Sequence, residues 1–210
     1  MIKMELLKRL LQVLLFAVIS MSHLSVSAQD DLTRAFSESY VLEKKGEYKK
    51  AIDQLKAVYR EESYETNLRL GWLTYQSGQF YESIAFYNKA IELMPYGIEA
   101  RFGLAYPVYA LGRTDEIISI YQKVLDTDPQ NTIALYWLGY IYYYKGSYEK
   151  AEQYLEKVVN LYPFDYDSVI LLAWTKYRLQ KTREAKVLFG KALLYDPESS
   201  SAKEGMELVR

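Results

Sequence analysis

Any chemistry in this chain has to be done without thiols and almost without imidazole. The 210 residues hold no cysteine and a single histidine, His23, which falls in an N-terminal segment with the marks of a removable leader. Thiolate nucleophiles, imidazole bases and zinc sites built from Cys and His are therefore excluded from the remainder. A pair of carboxylates can hydrolyse a glycosidic bond, and acids are plentiful, but residues such as Glu149, Glu152 and Glu156 read as a solvated helix face. No glycine-rich phosphate loop is present. What stands out is the aromatic content, with 22 tyrosines, 3 tryptophans and 7 phenylalanines. A tyrosine offers a flat apolar face and a hydroxyl, with only two side-chain torsions to freeze on binding. The chemistry on offer is recognition rather than bond-making, so the expectation is no enzyme, no cofactor and no metal site.

The elements that must position those rings follow from a ruler in the sequence. Pro95, Pro129, Pro163 and Pro197 stand 34 residues apart, and Gly78, Gly112 and Gly146 keep the same period. A fixed period in this range marks a stacked array of helical or strand units. Five units follow, 32–63, 64–97, 98–131, 132–165 and 166–199, the first two residues short. Numbered from 1 within each unit, position 7 is Leu70, Leu104, Leu138 and Leu172, and position 8 is the small residue Gly71, Ala105, Gly139 and Ala173. These lie on a first helix, A. Position 15 is Gly46, Gly78, Gly112, Gly146 and then Gln180, a turn where left-handed backbone is expected. A second helix, B, carries Ala51, Ser83, Ile117, Ala151 and Ala185 at position 20, and Leu55, Tyr87, Tyr121, Tyr154 and Phe189 at position 24. Before each helix A stands Asp31, Ser63, Gly97, Asn131, Asp165 or Ser199, residue types that cap helix starts. Before Gly97, Asn131, Asp165 and Ser199 the proline two residues earlier stops the preceding helix.

This pattern of small residue at 8, glycine at 15, aromatic at 17, alanine at 20, aromatic at 24 and proline at 32 resembles the tetratricopeptide repeat. The resemblance spans residues 32–199 and implies an all-α, right-handed solenoid of five helical hairpins, closed by a solvating helix over 200–210. In that closing helix Ala202, Met206 and Val209 face the last repeat, while Lys203, Glu204, Glu207 and Arg210 face water. Unit three departs most from the pattern, with Thr114 at 17 and Ile117 at 20, which should push its two helices apart. Pro107 falls inside its helix A, where the missing N–H and the ring's approach to the Gly103 carbonyl call for a bend. Such a bend re-aims Phe102, Tyr106 and Tyr109.

In this family helix A lines a concave groove, faced by positions 2, 5, 9, 12 and 13. Those 25 places hold thirteen aromatics in this chain, namely Phe36, Tyr40, Trp72, Tyr75, Phe102, Tyr106, Tyr109, Tyr136, Tyr140, Tyr143, Tyr144, Trp174 and Tyr177. The resemblance therefore makes these the candidate ligand-binding residues. The family's clamp for a C-terminal carboxylate uses Lys at 5 and Asn at 9 of its first repeat. Phe36 and Tyr40 occupy those places here, so that ligand class is not carried over. The expected function is a scaffold holding an extended segment of a protein partner in an aromatic groove. A carbohydrate- or peptidoglycan-binding module using the same rings is one alternative, and a self-associating structural subunit, with the rings packed on one another, is the other.

The N-terminus is a separate object. Lys3, Lys8 and Arg9 precede an apolar run over 10–19, a polar stretch and Val26-Ser27-Ala28, the form of a secretory signal. The expectation is cleavage near Ala28, a mature chain starting at Gln29, residues 29–31 as linker and cap, and a periplasmic or extracellular destination in a bacterial envelope. The membrane is then met only through the leader. Residues 1–28 carry three Lys or Arg and one Glu, so 23 basic and 26 acidic residues remain. No helix carries the basic stripe that phosphate contacts need, and no nucleic-acid partner is expected.

Overall fold

The structure is a computed structural model describing residues 29–210; the expected signal sequence and its expected cleavage point lie outside the described residues. They divide into two compact units, with the boundary between Met94 and Pro95. The fold is all-α, and no strand occurs among the described residues. The first unit contains α1 (29–44), α2 (Tyr48–Ala57), α3 (Tyr64–Gln76) and α4 (Phe80–Leu93). The second contains α5 (Glu99–Ala110), α6 (Thr114–Thr127), α7 (Thr132–Tyr144), α8 (Tyr148–Leu161), α9 (Tyr166–Arg178), α10 (Thr182–Tyr195) and α11 (Ser200–Leu208).

Local chemistry sets the helix ends. The side chains of Ser63, Asn131, Asp165 and Ser199 each accept from the backbone N–H three residues on, capping α3, α7, α9 and α11. Two caps fall otherwise. Residues 29–31 are already helical, so Asp31 is neither linker nor cap and pairs instead with Arg34 one turn later at 2.7 Å. Helix α5 starts one residue late, with Ile98 rather than Gly97 at its cap position and no side-chain acceptor. The B helices lack side-chain caps, but α4, α6, α8 and α10 carry acids in the first turn, where the helix dipole favours negative charge. Between A and B the chain turns through left-handed backbone at Gly46, Gly78, Gly112 and Gly146, and also at Gln180, with φ +60°.

The α3–α4 and α7–α8 hairpins close where the small residue of helix A meets position 24 of helix B. A Cβ on Gly71 would lie 2.9 Å from the Tyr87 ring, and one on Gly139 2.6 Å from Leu155. Leu155, wholly buried, is thus the true position 24 of the fourth unit. Tyr154, assigned that place from sequence, is one residue out of register and stacks on Tyr142, ring centroids 5.7 Å apart. Ser83 donates its hydroxyl to the Gly71 carbonyl, satisfying a polar group in the α3–α4 seam. Helices α5 and α6 lie less closely against each other than the other A–B pairs of 64–195, as the bulk of Ile117 anticipates. Helix α5 nevertheless runs unbroken through Pro107, which is buried. At the C-terminus Ala202, Gly205 and Val209 are buried, and Met206 packs on the cluster around Phe189. None of the described helices is long and apolar enough to cross a membrane.

Candidate functional site

The thirteen candidate rings fall into two settings. In the first unit they are bound into a charged network. Arg69, buried on α3, pairs with Glu43 at 2.6 Å and donates to Ser39 Oγ at 3.1 Å. Its guanidinium lies 3.8 Å from the centroid of the Tyr40 ring, a cation–π geometry. Trp72 donates its indole N–H to the same Glu43 carboxylate. Burial alone would raise the Glu43 pKa, yet the hydrogen bonds from Trp72 and Arg69 outweigh it and hold the carboxyl below its ordinary value. Tyr75 lies between Trp72 and Phe80, at 5.8 and 5.9 Å, and Phe36 packs against the core of this unit. Phe36, Trp72 and Tyr75 are half-buried parts of the frame, while Tyr40 is 50% exposed and held by its contact with Arg69.

In the second unit the rings of α7 meet mainly other rings. Tyr136 and Tyr140 lie 6.3 Å apart, Tyr140 and Tyr144 4.5 Å, and Tyr143 and Tyr144 5.3 Å. Trp137, not among the candidates, stands edge-on to Tyr136 and Tyr140 at 5.8 and 5.4 Å. Helical spacing of three and four places these residues on adjoining stripes of one face, so α7 carries a ladder of rings along its length. Tyr144 remains 67% exposed, and on α5 Tyr106 and Tyr109 are 52% and 72% exposed. Burial, then the negative charge of Asp167, pushes the Tyr136 phenol up to about 12. Tyr140 is shifted upward too, first by burial and then by its neighbour Tyr144.

Not every candidate in this unit belongs to that surface. Phe102 packs on the buried Tyr121 at 6.2 Å. Trp174 stands edge-on to the buried Phe189 at 5.0 Å, and its indole donates to Ser201 Oγ on α11 at 2.8 Å. It anchors the closing helix. Tyr177 lies edge-on to Trp174 at 5.8 Å. The accessible aromatic surface of this unit is therefore centred on Tyr106, Tyr109 and Tyr144, with Tyr136, Tyr140 and Tyr143 half-buried beside them.

Three acids of the described residues come together, but not as an open reactive group. Glu152, Glu156 and Glu184 bring carboxylate oxygens within 4.8 Å of one another, but the Lys176 ammonium sits among them, 2.5–2.7 Å from all three. Glu152 also pairs with Lys181 at 2.6 Å and is only 13% exposed at its side chain, so it does not belong to the solvated face assigned from sequence. The three hydrogen bonds outweigh the burial that would lower the Lys176 pKa, and they raise it. Lys176 stands at position 11, apolar in the units with Leu42, Val108 and Tyr142. Its acids come from two other helices, so the repeat register alone does not reveal them.

Sequence models described as tetratricopeptide repeat match residues 64–95 and 108–174. Among solved structures, a tetratricopeptide repeat protein from Parabacteroides merdae ATCC 43184 is 22% identical over 86% of this chain and 72% of its own, with TM-score 0.73. A crystal structure of MamA protein is 22% identical, covering 81% of this chain and 94% of its own, with TM-score 0.69. YrrB, described as a TPR protein with an unusual peptide-binding site, is 14% identical, covering 85% and 93%, with TM-score 0.68. At these identities the likeness is one of fold. No curated protein sequence matches the chain.

Proposed function

This chain belongs to the tetratricopeptide-repeat family, and we propose that it is a non-enzymatic, exported scaffold that holds an extended peptide segment of a protein partner against the tyrosine face of α5 and α7. The observation that carries this reading is the exposure of Tyr106, Tyr109 and Tyr144 beside a ladder of rings on one helix. Burying such rings on a ligand gains apolar contact at small conformational cost, and their hydroxyls can meet the backbone polar groups of an extended chain. A proline-rich segment suits this surface because its extended helix is already formed. A peptide ligand is also in keeping with the description of YrrB. Export rests on the basic, apolar and small-residue order of 1–28, and N-terminal sequencing of the processed protein should begin at Gln29; an intact Met1 would refute cleavage.

The direct test is a crosslinking capture from native envelope extract, comparing the protein with a Tyr106→Ala, Tyr109→Ala, Tyr144→Ala variant of unchanged helicity. All three rings are exposed, so the fold should survive. Loss of a captured protein in the variant places its contact on this face. Equal capture by both rejects the reading, and capture of glycan fragments in place of protein does so as well.

A further inference from the structure

A pocket of about 560 Å³ opens between the first turns of α7 and α9, the end of α8 and the turn that follows it. Its walls include Tyr136 and Trp137 from α7, Tyr162 and Phe164 from the turn, and Asp167 and Ser168 from α9. Tyr162 and Phe164 are 59% and 79% exposed, a costly placement for large rings. The turn is nonetheless braced, because Tyr195 donates its hydroxyl to the Pro163 carbonyl and its ring meets Phe164 at 4.0 Å between centroids.

Two further observations fix the chemistry of an occupant. The lining carries two carboxylates, Asp165 and Asp167, and no Lys or Arg. Asp165 is engaged in capping Ser168 N–H at 3.1 Å, so Asp167, exposed in the first turn of α9, is the charge that meets a ligand. In addition, Ser168 is wholly buried and its Oγ has no hydrogen-bond partner. Buried hydroxyls nearly always find a partner within the fold, from water or from a ligand. The walls therefore favour an occupant that stacks on aromatic faces and carries positive charge, and the Ser168 hydroxyl can accept an N–H from it. A guanidinium offers all three, being planar, permanently charged and donor-rich. An ammonium carries the charge without the plane.

We propose that this pocket receives an arginine side chain of the bound segment, which rests on the peptide-binding reading above. Tyr136 joins the two surfaces, since it lines the pocket and also lies 6.3 Å from Tyr140 on the ladder. The backbone of the segment then runs along α7 while its arginine turns in between α7 and α9.

Trp137 is a built-in reporter. With 5-fluorotryptophan in the protein, its resonance is identified by Trp137→Phe and followed during titration with N-acetyl-arginine amide and with the neutral isostere N-acetyl-citrulline amide. The arginine compound should shift the Trp137 resonance and bind about tenfold more tightly than citrulline, a preference that Asp167→Asn removes because a charge-assisted contact is lost. Ser168→Ala should weaken it by a smaller factor. Equal binding of the two compounds, or no shift of Trp137, overturns the proposal. An arginine-centred proline-rich nonapeptide separates it from the ladder. If the nonapeptide binds equally well with norleucine at its centre, the pocket assignment falls while the ladder stands. If it binds no tighter than the single amino-acid compound, the ladder reading falls while the pocket stands.

Discussion

The aromatic residues of α3 and α7 occupy equivalent positions of the repeat and serve different ends. On α3 the rings are consumed by charge: Trp72 donates to Glu43, and Tyr40 from α1 covers Arg69, which pairs with the same carboxylate. On α7 the contacts of Tyr136, Tyr140 and Tyr144 are chiefly with one another, and the exposed edge of the ladder faces solvent. Aromatic enrichment at a repeat position therefore does not by itself mark a ligand surface. What distinguishes the two is whether a buried ion lies beneath the rings and claims them.

The largest test of this difference is to remove the ion. Arg69→Ala leaves Glu43 partly buried without its guanidinium, and loss of one partner of such a pair costs about 3–5 kcal/mol. Urea unfolding should report that loss, and capture of a ligand by α5 and α7 should persist under conditions where the variant is folded. A stability change below about 1 kcal/mol would place this pair with ordinary surface ion pairs and would dissolve the contrast.

Titration probes the same contrast from opposite ends of the pH scale. The folded-state pKa of Glu43 is lowered. Its contribution is therefore present above the unfolded carboxylate value, near 4.5, and is lost as pH falls through the lowered folded value. The indole N–H resonance of Trp72 should change with a midpoint below 4.5. Tyr136 behaves oppositely, because burial and Asp167 raise its pKa to about 12. Its contribution is full below the unfolded phenol value, near 10, and is lost as pH rises through the folded one. Tyr136 ring resonances should hold steady to about pH 10 and titrate near 12; a midpoint at 10 would mean the ladder is open to water at that ring.

A smaller effect is expected where the rings answer only to rings. Tyr140→Ala with Tyr144→Ala removes an aromatic pair worth about 0.5–1.5 kcal/mol beyond its buried area, and Tyr144 is mostly exposed. With the area that Tyr140 buries added, the double variant should lose about 1.5–3 kcal/mol in urea unfolding while losing most of its affinity for a peptide ligand. A loss as large as that of Arg69→Ala would make the α7 ladder structural as well.

Much of this architecture could be read from the ruler of prolines and glycines, because turn and cap chemistry is local. Ser63, Asn131, Asp165 and Ser199 cap as their types demand, and Gly46, Gly78, Gly112 and Gly146 take the left-handed backbone that only glycine adopts freely. The same local signals fail where a neighbouring element decides. Asp31 reads as a cap but lies within a continuing helix. Lys176 sits at a core position because acids of α8 and α10 reach it, a partnership formed across 20 and 8 residues of chain. The thirteen rings follow from register alone. Register says which way a residue faces and nothing of what lies under it, so it groups Trp72 and Trp174 with Tyr144 although their indoles are committed to Glu43 and Ser201. The pocket beside Tyr136 is hidden from register for a related reason, since Phe164, Tyr162 and Ser168 lie outside the groove positions.

Gln180 gives the finest cut between frame and face. It occupies the A–B turn position held by glycine in the other four units, with φ +60°, a region that costs an L-residue with a Cβ about 1–2 kcal/mol. Gln180→Gly relieves that strain, but glycine loses more conformational entropy on folding, so the net gain should be about 0.5–1 kcal/mol. The turn joins α9 to α10 and contributes none of the rings of α7. If the contrast is sound, urea midpoints rise by that small amount while the affinity of a ladder ligand stays unchanged. A variant that gained stability and lost affinity would mean that the ladder depends on strain held in the α9–α10 turn, and the tyrosine face would then have to be counted as part of the frame.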